Sequence, residues 1–472
     1  MSQKIATKIT AFFPPANLLP LLFAYLFDHV AVSTHWIFFS IWLNEDIIGA
    51  NPGLQYPFLL LAVILATPSF LALFWNTLIT SFSDKTGRRK EFMFFSKLLL
   101  TAQCLLLIFY GNSIVNVLLI YGAFGIHTVF YTLHSALITS ICHPDRRGEV
   151  VSFQLIFASG GWMIGSGISG TIYNAFGMTG NLAFSAGFAI VAGILPLFSQ
   201  SKPWFERKDI ISQMREEMSP PEESKGSKEQ QQTLENREKD NLPAVDSPKD
   251  SFIPIGDSYR IPELLTEVEQ PKSKYWNIFS RRNIIILLVT LAIVDFGFGP
   301  FNVMASVYLK ATGVPNNFIA ISNTIATFIG MSLQLFIGKF SDRRGRRPLF
   351  LIGIFAYPIL YGLTYLLSGY WVAVFLLYCY PLYALKVPSA NAIMSDLTAE
   401  NERARGMNLI QFEQTLSLNL GALLGCFLAD VLPKGIMILP LMPTIFGVIA
   451  VILAFFIFQE THEKIVNRNK KS

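Results

Sequence analysis

Residues 338–347 read Gly-Lys-Phe-Ser-Asp-Arg-Arg-Gly-Arg-Arg, a polar and strongly basic run between two long apolar stretches. Apolar stretches of about 20 residues can cross a bilayer as helices, so this run is expected to form a short loop between two membrane helices. A near copy, Thr-Ser-Phe-Ser-Asp-Lys-Thr-Gly-Arg-Arg, occupies residues 80–89. The two copies predict an equivalent loop in each half of the chain.

A second basic motif that ends in glycine follows each of these loops, Arg-Arg-Gly in the first half and Arg-Ala-Arg-Gly in the second. Asp84 and Arg147 are 63 residues apart, as are Asp342 and Arg405. Two unrelated motifs that recur at one spacing indicate an internal duplication.

The run at 338–347 resembles the loop signature of the major facilitator superfamily, Gly-x-x-x-Asp-(Arg/Lys)-x-Gly-(Arg/Lys)-(Arg/Lys), which joins the second and third helices of each half. It matches that signature fully, whereas the first copy has Thr80 where the family usually has glycine. The resemblance covers nearly the whole chain apart from its centre. It implies an all-α membrane protein with twelve transmembrane helices in two pseudo-symmetric six-helix bundles, the major facilitator fold.

Within that superfamily the motifs resemble most those of the drug:proton antiporter-like branch. The run Asp-Phe-Gly-Phe-Gly-Pro from Asp295 to Pro300 is similar to the start of helix 7 in those antiporters. Two of their features are missing here, a Gly-Pro pair in the fifth helix and an arginine in the fourth. The glycines of the fifth apolar run therefore indicate close helix packing.

The composition is that of a membrane protein. Hydrophobic residues make up 52% of the chain and charged residues 15%, against about 25% charged in ordinary soluble domains. The four cysteines show no metal-ligand spacing and no disulfide framework. The first apolar run is too long for the core of a signal peptide, so it is expected to remain as a helix.

Apolar runs of spanning length can be counted directly, six in each half of the chain. We predict transmembrane helices at 18–43, 57–80, 91–111, 113–141, 150–173, 181–199, 283–309, 317–340, 348–368, 370–397, 407–432 and 437–459. The predicted domains are an N-terminal bundle (1–199), a polar and largely disordered linker (200–281) and a C-terminal bundle with a short basic tail (282–472).

The basic residues predict the orientation in the membrane. Loops 2–3, 4–5, 8–9 and 10–11 are rich in Lys and Arg, whereas the loops on the other side hold almost none apart from Lys310 and Lys434. By the positive-inside rule both termini and the linker face the cytoplasm. We expect a multi-pass protein of the cell membrane, acting as a monomer.

Ionisable residues within the apolar runs are costly in a bilayer and need a reason. Asp28 and His35 in helix 1, like Asp295 and Asn302 in helix 7, are seven residues apart and share a helical face. Pro300 and two neighbouring glycines predict a kink or break in helix 7, a feature of transporter binding sites.

The fourth and tenth helices carry polar groups at similar depths. His127, Tyr131 and His134 line one face of helix 4, and Lys386 lies midway through helix 10. Lys97 is expected to extend to the nearby membrane surface. Glu413 is as compatible with a role in gating as with one in transport. The alternative for the ionisable residues inside the helices is that they only neutralise one another. The predicted substrate- and proton-binding set is Asp28, His35, His127, Tyr131, His134, Asp295, Asn302 and Lys386.

The resemblance also implies a cytoplasmic gate between the halves. Asp84 is expected to meet the start of helix 11 and Asp342 the start of helix 5, because a helix N-terminus attracts a carboxylate. Arg346 is expected to pair with Asp396. The predicted gate comprises Asp84, Gly87, Arg88, Arg147, Gly338, Asp342, Gly345, Arg346, Asp396 and Arg405.

These features predict a secondary transporter of a small organic solute, coupled to protons and working by alternating access. No phosphate-binding Gly-x-x-x-x-Gly-Lys-(Ser/Thr) loop occurs, so ATP-driven transport is not indicated, and no enzymatic or cofactor-binding motif is visible. The Arg-rich loops are too short to indicate nucleic acid as a partner. The alternatives are facilitative uptake of a sugar or organic acid, and a transporter-like sensor that moves no solute.

Overall fold

The computed structural model describes residues 18–123, 125–141, 147–199, 281–367, 369–372, 385–398 and 403–457. Within those ranges the side chains of 84, 139–140, 147–149, 151–152, 334–344 and 403–405 are not described. The regular secondary structure of the described residues is helical throughout. All but one residue of the predicted linker lie outside this part of the chain, so the proposed domain boundaries stay a prediction.

The described part of the first half contains six α-helices, three of which are preceded or followed by a short 3₁₀ or π-helical turn. They are α1 (Leu19–Trp42, continued by a π-helical turn at Leu43–Ile48), α2 (Pro57–Thr86), α3 (Arg89–Tyr110), α4 (Ile114–Ala123), α5 (Val129–Ile141) and α6 (Arg147–Ile194). A 3₁₀ turn at Gly125–Thr128 precedes α5, and another at Leu195–Phe198 follows α6.

The second half also contains six α-helices among its described residues. Its helices are α7 (Arg282–Ala311), α8 (Asn316–Arg344), α9 (Arg346–Leu366), α10 (Lys386–Leu397), α11 (Arg403–Val431) and α12 (Leu441–Ile457), with a 3₁₀ turn at Gly435–Ile438.

The predicted all-helical membrane fold is confirmed. Among the described residues, nine stretches are long and apolar enough to cross a membrane. One of them, Phe153–Phe198, covers the predicted fifth and sixth helices, which meet at Gly177 inside α6. The φ of Gly177 is 63°, a left-handed conformation that glycine adopts without steric cost, so the chain can turn there.

The two copies of the opening motif lie at the same end of the bundle, which we call the basic end, and the other end is the opposite end. Gly87 terminates α2 with a φ of 69°, and Gly345 precedes α9 with a φ of 100°. Both conformations favour glycine, which explains why the motif carries one at this point. The motif therefore ends one helix and starts the next within a few residues.

Glycines bring α1 and α6 into direct backbone contact. A Cβ atom on Gly161 would lie 2.2 Å from the carbonyl oxygen of Leu26, and one on Gly165 would lie 2.5 Å from that of Val30. No other residue fits at either position without moving a helix. The predicted role of the glycines in helix packing is confirmed for these two.

Of the kink or break predicted in helix 7, the break is wrong, because α7 is continuous through Pro300, and the kink stays a prediction. Pro300 has no N–H to offer the carbonyl of Phe296, one turn earlier. The carbonyl of Phe296 faces Gly421 of α11, and a Cβ atom on Gly421 would lie 1.8 Å from the carbonyl oxygen. Gly425 lies directly against the Pro300 ring. The neighbouring helix thus accommodates the proline, and no local unwinding is needed.

The halves meet along two helix pairs, α6 with α8 and α2 with α11. Helix α1 also touches α7 near the centre. These contacts leave a space between the halves, which is the feature of most interest for function.

Candidate functional site

A cavity of about 170 Å³ lies between the two halves. Helices α1, α2 and α6 form one wall, and α7, α8 and α9 form the other. Aromatic side chains supply much of the lining, among them Trp36, Trp162, Phe298, Phe301 and Tyr361. Such rings offer flat apolar surfaces with polar tips on Trp and Tyr.

Neutral polar groups are set among these rings. Asn302, Asn323, Ser40, Ser306 and Ser322 line the cavity, and its described lining contains no charged residue. Amides and hydroxyls both donate and accept hydrogen bonds. The lining is therefore suited to a ligand that carries neutral hydrogen-bonding groups.

One hydrogen bond across the two halves orients a cavity amide. The indole Nε1 of Trp162 donates to Oδ1 of Asn323 at 3.0 Å. Because this bond holds the amide oxygen, it fixes the orientation of the Asn323 amide, including its amino group. One turn further along, the hydroxyls of Ser166 and Thr324 are 2.9 Å apart.

At the opposite end of the bundle, a carboxylate on one half meets a helix N-terminus of the other half. Oδ1 of Asp430 accepts a hydrogen bond from the backbone N–H of Phe58 at 3.0 Å, and Oδ2 accepts one from Leu59 at 2.8 Å. Tyr56, the N-cap residue of α2, offers no side-chain cap. Asp430 of α11 therefore caps a helix of the other half, an arrangement that also suits the helix dipole.

The duplication places a weaker version of this closure at the start of α8. Nδ2 of Asn174 donates to Oδ1 of Asn317 at 2.8 Å, and Nδ2 of Asn316 donates to Oδ1 of Asn174 at 3.2 Å. An exposed ion pair between Lys310 and Glu45, with 2.5 Å between Nζ and Oε2, lies on the same side. These polar contacts between described residues join the halves at the opposite end.

The first buried charge pair lies inside the N-terminal half. Nζ of Lys97 on α3 donates to Oδ1 of Asp28 on α1, and both side chains are 0% exposed. The expectation that Lys97 extends to the membrane surface is therefore wrong. Asp28 neutralises its charge inside the bundle, which removes the need for the lysine to reach water.

Aromatic and imidazole groups surround this pair. Nζ of Lys97 lies 4.2 Å from the ring centre of Phe130 and 5.3 Å from that of Tyr131, positions that favour a cation. Nδ1 of His29 is 3.9 Å from Oδ2 of Asp28. Tyr131 also interacts electrostatically with Asp28.

The other predicted histidines occupy different places in the same half. Nε2 of His134 bonds to the carbonyl of Leu21 at 2.8 Å, and its Nδ1 accepts from Gln154 at 3.2 Å. His134 is 0% exposed and stacks on Tyr25. His127 lies in the 3₁₀ turn before α5, within electrostatic reach of Asp28.

His35 shares the helix face of Asp28, as predicted, but that face points into its own bundle. Nδ1 of His35 is 2.9 Å from the hydroxyl of Ser185 on α6 and 3.1 Å from the carbonyl of Ala31. Ser185 in turn donates to Ala31 at 2.7 Å. These bonds tie α1 to α6.

The second buried charge pair lies in the C-terminal half. Nζ of Lys386 on α10 donates to Oδ1 of Asp295 on α7, and both side chains are 3% exposed. Nζ of Lys386 also lies 5.5 Å from the ring centre of Tyr357. Gly353 of α9 allows this approach, since a Cβ there would lie 2.7 Å from the backbone nitrogen of Lys386.

The structure thus separates the predicted site into a cavity and two enclosed pairs. Of the eight predicted binding residues, Asn302 lines the cavity, whereas Asp28, Asp295 and Lys386 do not. Each acid has found a lysine within its own half, so neither needs the solvent of a central cavity. Trp36, Trp162 and Asn323 were missed because no spacing marks them in the sequence.

The predicted gate lies only partly within the described residues. Nε of Arg346 is 3.3 Å from Oδ2 of Asp396, which confirms that expected pair. Arg88 is exposed at the start of α3. The side chains of Asp84, Arg147, Asp342 and Arg405, together with Gly338, lie outside the described part of the structure. Their predicted contacts between the halves stay a prediction.

Comparison with known families agrees with this architecture. The model of the Major Facilitator Superfamily matches residues 21–385 and, in a second alignment, 287–472. The chain belongs to the Major Facilitator Superfamily. The match extends over both halves, as the duplication requires.

One curated relative of this major facilitator protein is a "probable peptide/nitrate transporter" of Arabidopsis thaliana. It is 28% identical over 112 residues, which cover 22% of this chain and 23% of the relative. The match therefore spans less than a quarter of that protein's length.

Solved transporters share the fold over almost the entire chain. An inward-open structure of the xylose transporter XylE from E. coli is 13% identical, with a TM-score of 0.62, and the match covers 95% of this chain and 97% of that one. A bacterial homologue of the human lysosomal transporter Spinster is 13% identical (TM-score 0.66; 93% and 95% covered). The nucleoside transporter NupG is 11% identical (TM-score 0.63; 93% and 98% covered). At these identities the similarity shows the fold alone.

Proposed function

We propose that this transporter carries a small, neutral, polar solute and that its transport is coupled to protons by alternating access. The observation that supports the substrate class is the lining of the cavity between the halves. The observation that supports coupling is the buried pair of Asp295 and Lys386 next to it. Transport itself follows from the family.

The cavity favours a neutral ligand over an anion or a large amphipath. No lysine, arginine or histidine is among its described lining residues, so an organic acid would bring its charge into the cavity without a counter-ion. The volume of about 170 Å³ is below the roughly 300–1,000 Å³ common for drug-sized ligands. A drug-like substrate therefore fits less well than a small polyhydroxylated one.

Aromatic rings and amides together suit a molecule of the sugar or nucleoside class. Trp36, Trp162 and Tyr361 can pack against the apolar face of such a ring. Asn302 can donate and accept hydrogen bonds with its hydroxyls, and the Asn323 amino group can donate one. Binding of such a molecule would use both the aromatic and the amide side chains of the lining.

The charge pairs lie beside the cavity, towards the basic end. Asp295 is seven residues from the cavity residue Asn302, and Asp28 is eight residues from Trp36, which corresponds to about 10–12 Å along each helix. A proton bound there can alter helix packing without touching the solute. We propose that the basic end faces the cytoplasm of the cell and that the cavity opens alternately to each side.

Reconstituted protein tests this proposal. Purified transporter in proteoliposomes is assayed for uptake of labelled monosaccharides, nucleosides, dicarboxylates and amphipathic cations, with and without an imposed proton gradient. We expect at least one neutral polar solute to accumulate, and the accumulation to collapse when a protonophore dissipates the gradient. A solute bound by the native state should also raise its melting temperature.

Variants of the cavity provide the control. Asn302→Ala and Asn323→Ala should each weaken uptake of that solute by about five- to tenfold, as expected for the loss of a neutral hydrogen bond of roughly 1 kcal/mol. Asn51→Ala, an exposed asparagine outside the cavity, should transport normally. Selective accumulation of dicarboxylates or amphipathic cations would contradict the proposed substrate class.

A further inference from the structure

Glu413 is a carboxyl group on α11 whose two oxygens, Oε1 and Oε2, are inaccessible to solvent. Neither oxygen makes a hydrogen bond of normal geometry within the described structure, and the hydroxyl of Ser417, one turn further along α11, is the side-chain group that interacts with the carboxyl. An ionised carboxylate in that environment carries a large desolvation cost, which a bound proton removes. The group is therefore different from Asp28 and Asp295, each of which has a lysine.

The packing of α11 against α7 fixes where Glu413 lies. Gly421 faces the carbonyl of Phe296, and Gly425 faces Pro300. Glu413 and Gly421 are eight residues apart on one stripe of α11, so Glu413 lies about 12 Å nearer the basic end. That position is on the basic side of the Asp295–Lys386 pair.

The charged groups near Glu413 are few. Asp295 of α7 and Lys386 of α10 both interact with it electrostatically. Helix α2, which also packs on α11, has no charged residue from Pro57 to Ser83. The described surroundings thus hold two carboxyl groups and one ammonium group.

We propose that Glu413 is a second proton site, which shares Lys386 with Asp295 during transport. This inference rests on the proposed proton coupling and assigns it to named residues. In the structure Asp295 is the ionised partner of Lys386, and Glu413 holds the proton. The shift occurs when Asp295 takes up one proton and Glu413 releases one towards the basic end. Lys386 then pairs with the Glu413 carboxylate, so the two carboxyl groups together keep one proton and the net charge of the three groups stays zero.

Infrared spectroscopy of the purified protein can count the protonated carboxyl groups without any substrate. The C=O stretch of a carboxylic acid is measured at neutral pH in H₂O and D₂O for the wild type and four variants. Glu413→Gln should lose one protonated carboxyl. Asp295→Asn should also lose one, because Lys386 then pairs with an ionised Glu413. Lys386→Met should gain one, since neither acid retains its counter-ion. The exposed control Glu91→Gln should leave the band unchanged.

Transport measurements separate this inference from the proposed function. Glu413→Gln should abolish gradient-driven accumulation of the solute that the wild type carries. An unchanged carboxylic band in Glu413→Gln would overturn the inference, and so would full gradient-driven accumulation in that variant. If the wild type moves none of the solutes while the band responds as expected, the proposed function fails and the proton site stands.

Discussion

The two halves bury the same kind of charge pair in different surroundings. In the N-terminal half, Asp28 meets Lys97 from α3, and neither side chain has any exposed surface. In the C-terminal half, Asp295 meets Lys386 from α10, and both retain a small exposed fraction. The lysines come from helices that are not equivalent under the duplication. Both buried acids need a counter-ion, but the lysine that supplies it comes from a different helix in each half.

A third group distinguishes the pairs further. The Asp28–Lys97 pair is enclosed by Phe130, Tyr131 and His29, whereas the Asp295–Lys386 pair has Glu413 as a competing acid. Among the described residues no second acid competes with Asp28 for Lys97, so this pair holds the bundle together. A pair with two possible arrangements can change state during a transport cycle. We therefore assign stability to the first pair and coupling to the second.

The largest expected effect is on stability, in the N-terminal half. Lys97→Met leaves Asp28 buried without its partner, which should lower the free energy of unfolding by about 3–5 kcal/mol. Lys386→Met should cost clearly less, because Asp295 keeps a small exposed fraction and can take up a proton, while Glu413 already holds one. Thermal unfolding of the two variants and the wild type in the same detergent measures both losses of stability. The Asp28→Asn/Lys97→Met double variant should recover most of the loss, and a larger loss for Lys386→Met would contradict the assignment.

The helix interfaces of the halves allow a second comparison. Gly421→Ala would place a methyl group 1.8 Å from the carbonyl of Phe296, an overpacking that should cost about 1–3 kcal/mol. Gly165→Ala in the equivalent α1–α6 interface should cost a similar amount. Gly160, which has no atom within 4 Å of its Cβ position, is the matched control, and Gly160→Ala should be neutral or stabilising. The measurement is the melting temperature of the three variants: it should fall in Gly421→Ala and Gly165→Ala and should not fall in Gly160→Ala.

The smallest expected effect concerns closure of the opposite end. Asp430→Ala removes charge-assisted bonds of about 1.5–3 kcal/mol, whereas Asn174→Ala removes neutral ones of about 0.5–1.5 kcal/mol. Both should increase opening at that end, Asp430→Ala by the larger factor. The measurement is the rate at which an impermeant maleimide, added on that side, labels Ser306→Cys in a background without native cysteines. Equal rates in the two variants would show that the carboxylate adds nothing to the closure.

Much of the fold could be predicted because it depends on local sequence. Apolar runs of spanning length, a duplicated loop and the spacing of its motifs define the helices and the two halves. Asn302 was found from its position along a helix, which does not require knowledge of which helices touch. The Arg346–Asp396 pair was predicted from the family resemblance.

The rest depends on contacts between distant helices. The partner of Asp28 could not be read from the sequence, since Lys97 looks like a residue near a helix end. The continuity of α7 through Pro300 depends on Gly421 of another helix. The cavity aromatics Trp36 and Trp162 belong to different helices and form no motif. In each case the outcome depends on contacts between helices that are distant in the sequence, which local sequence patterns do not specify.

Gradient-driven uptake by two charge-neutral variants tests the assignment of roles most directly. In proteoliposomes with an imposed proton gradient, Asp295→Asn should lose accumulation of the transported solute. The Asp28→Asn/Lys97→Met double variant should fold, insert and accumulate that solute close to the wild-type level, because replacing both members of a buried pair is often neutral. Retained accumulation in Asp295→Asn, together with its loss in a correctly folded double variant, would contradict the account.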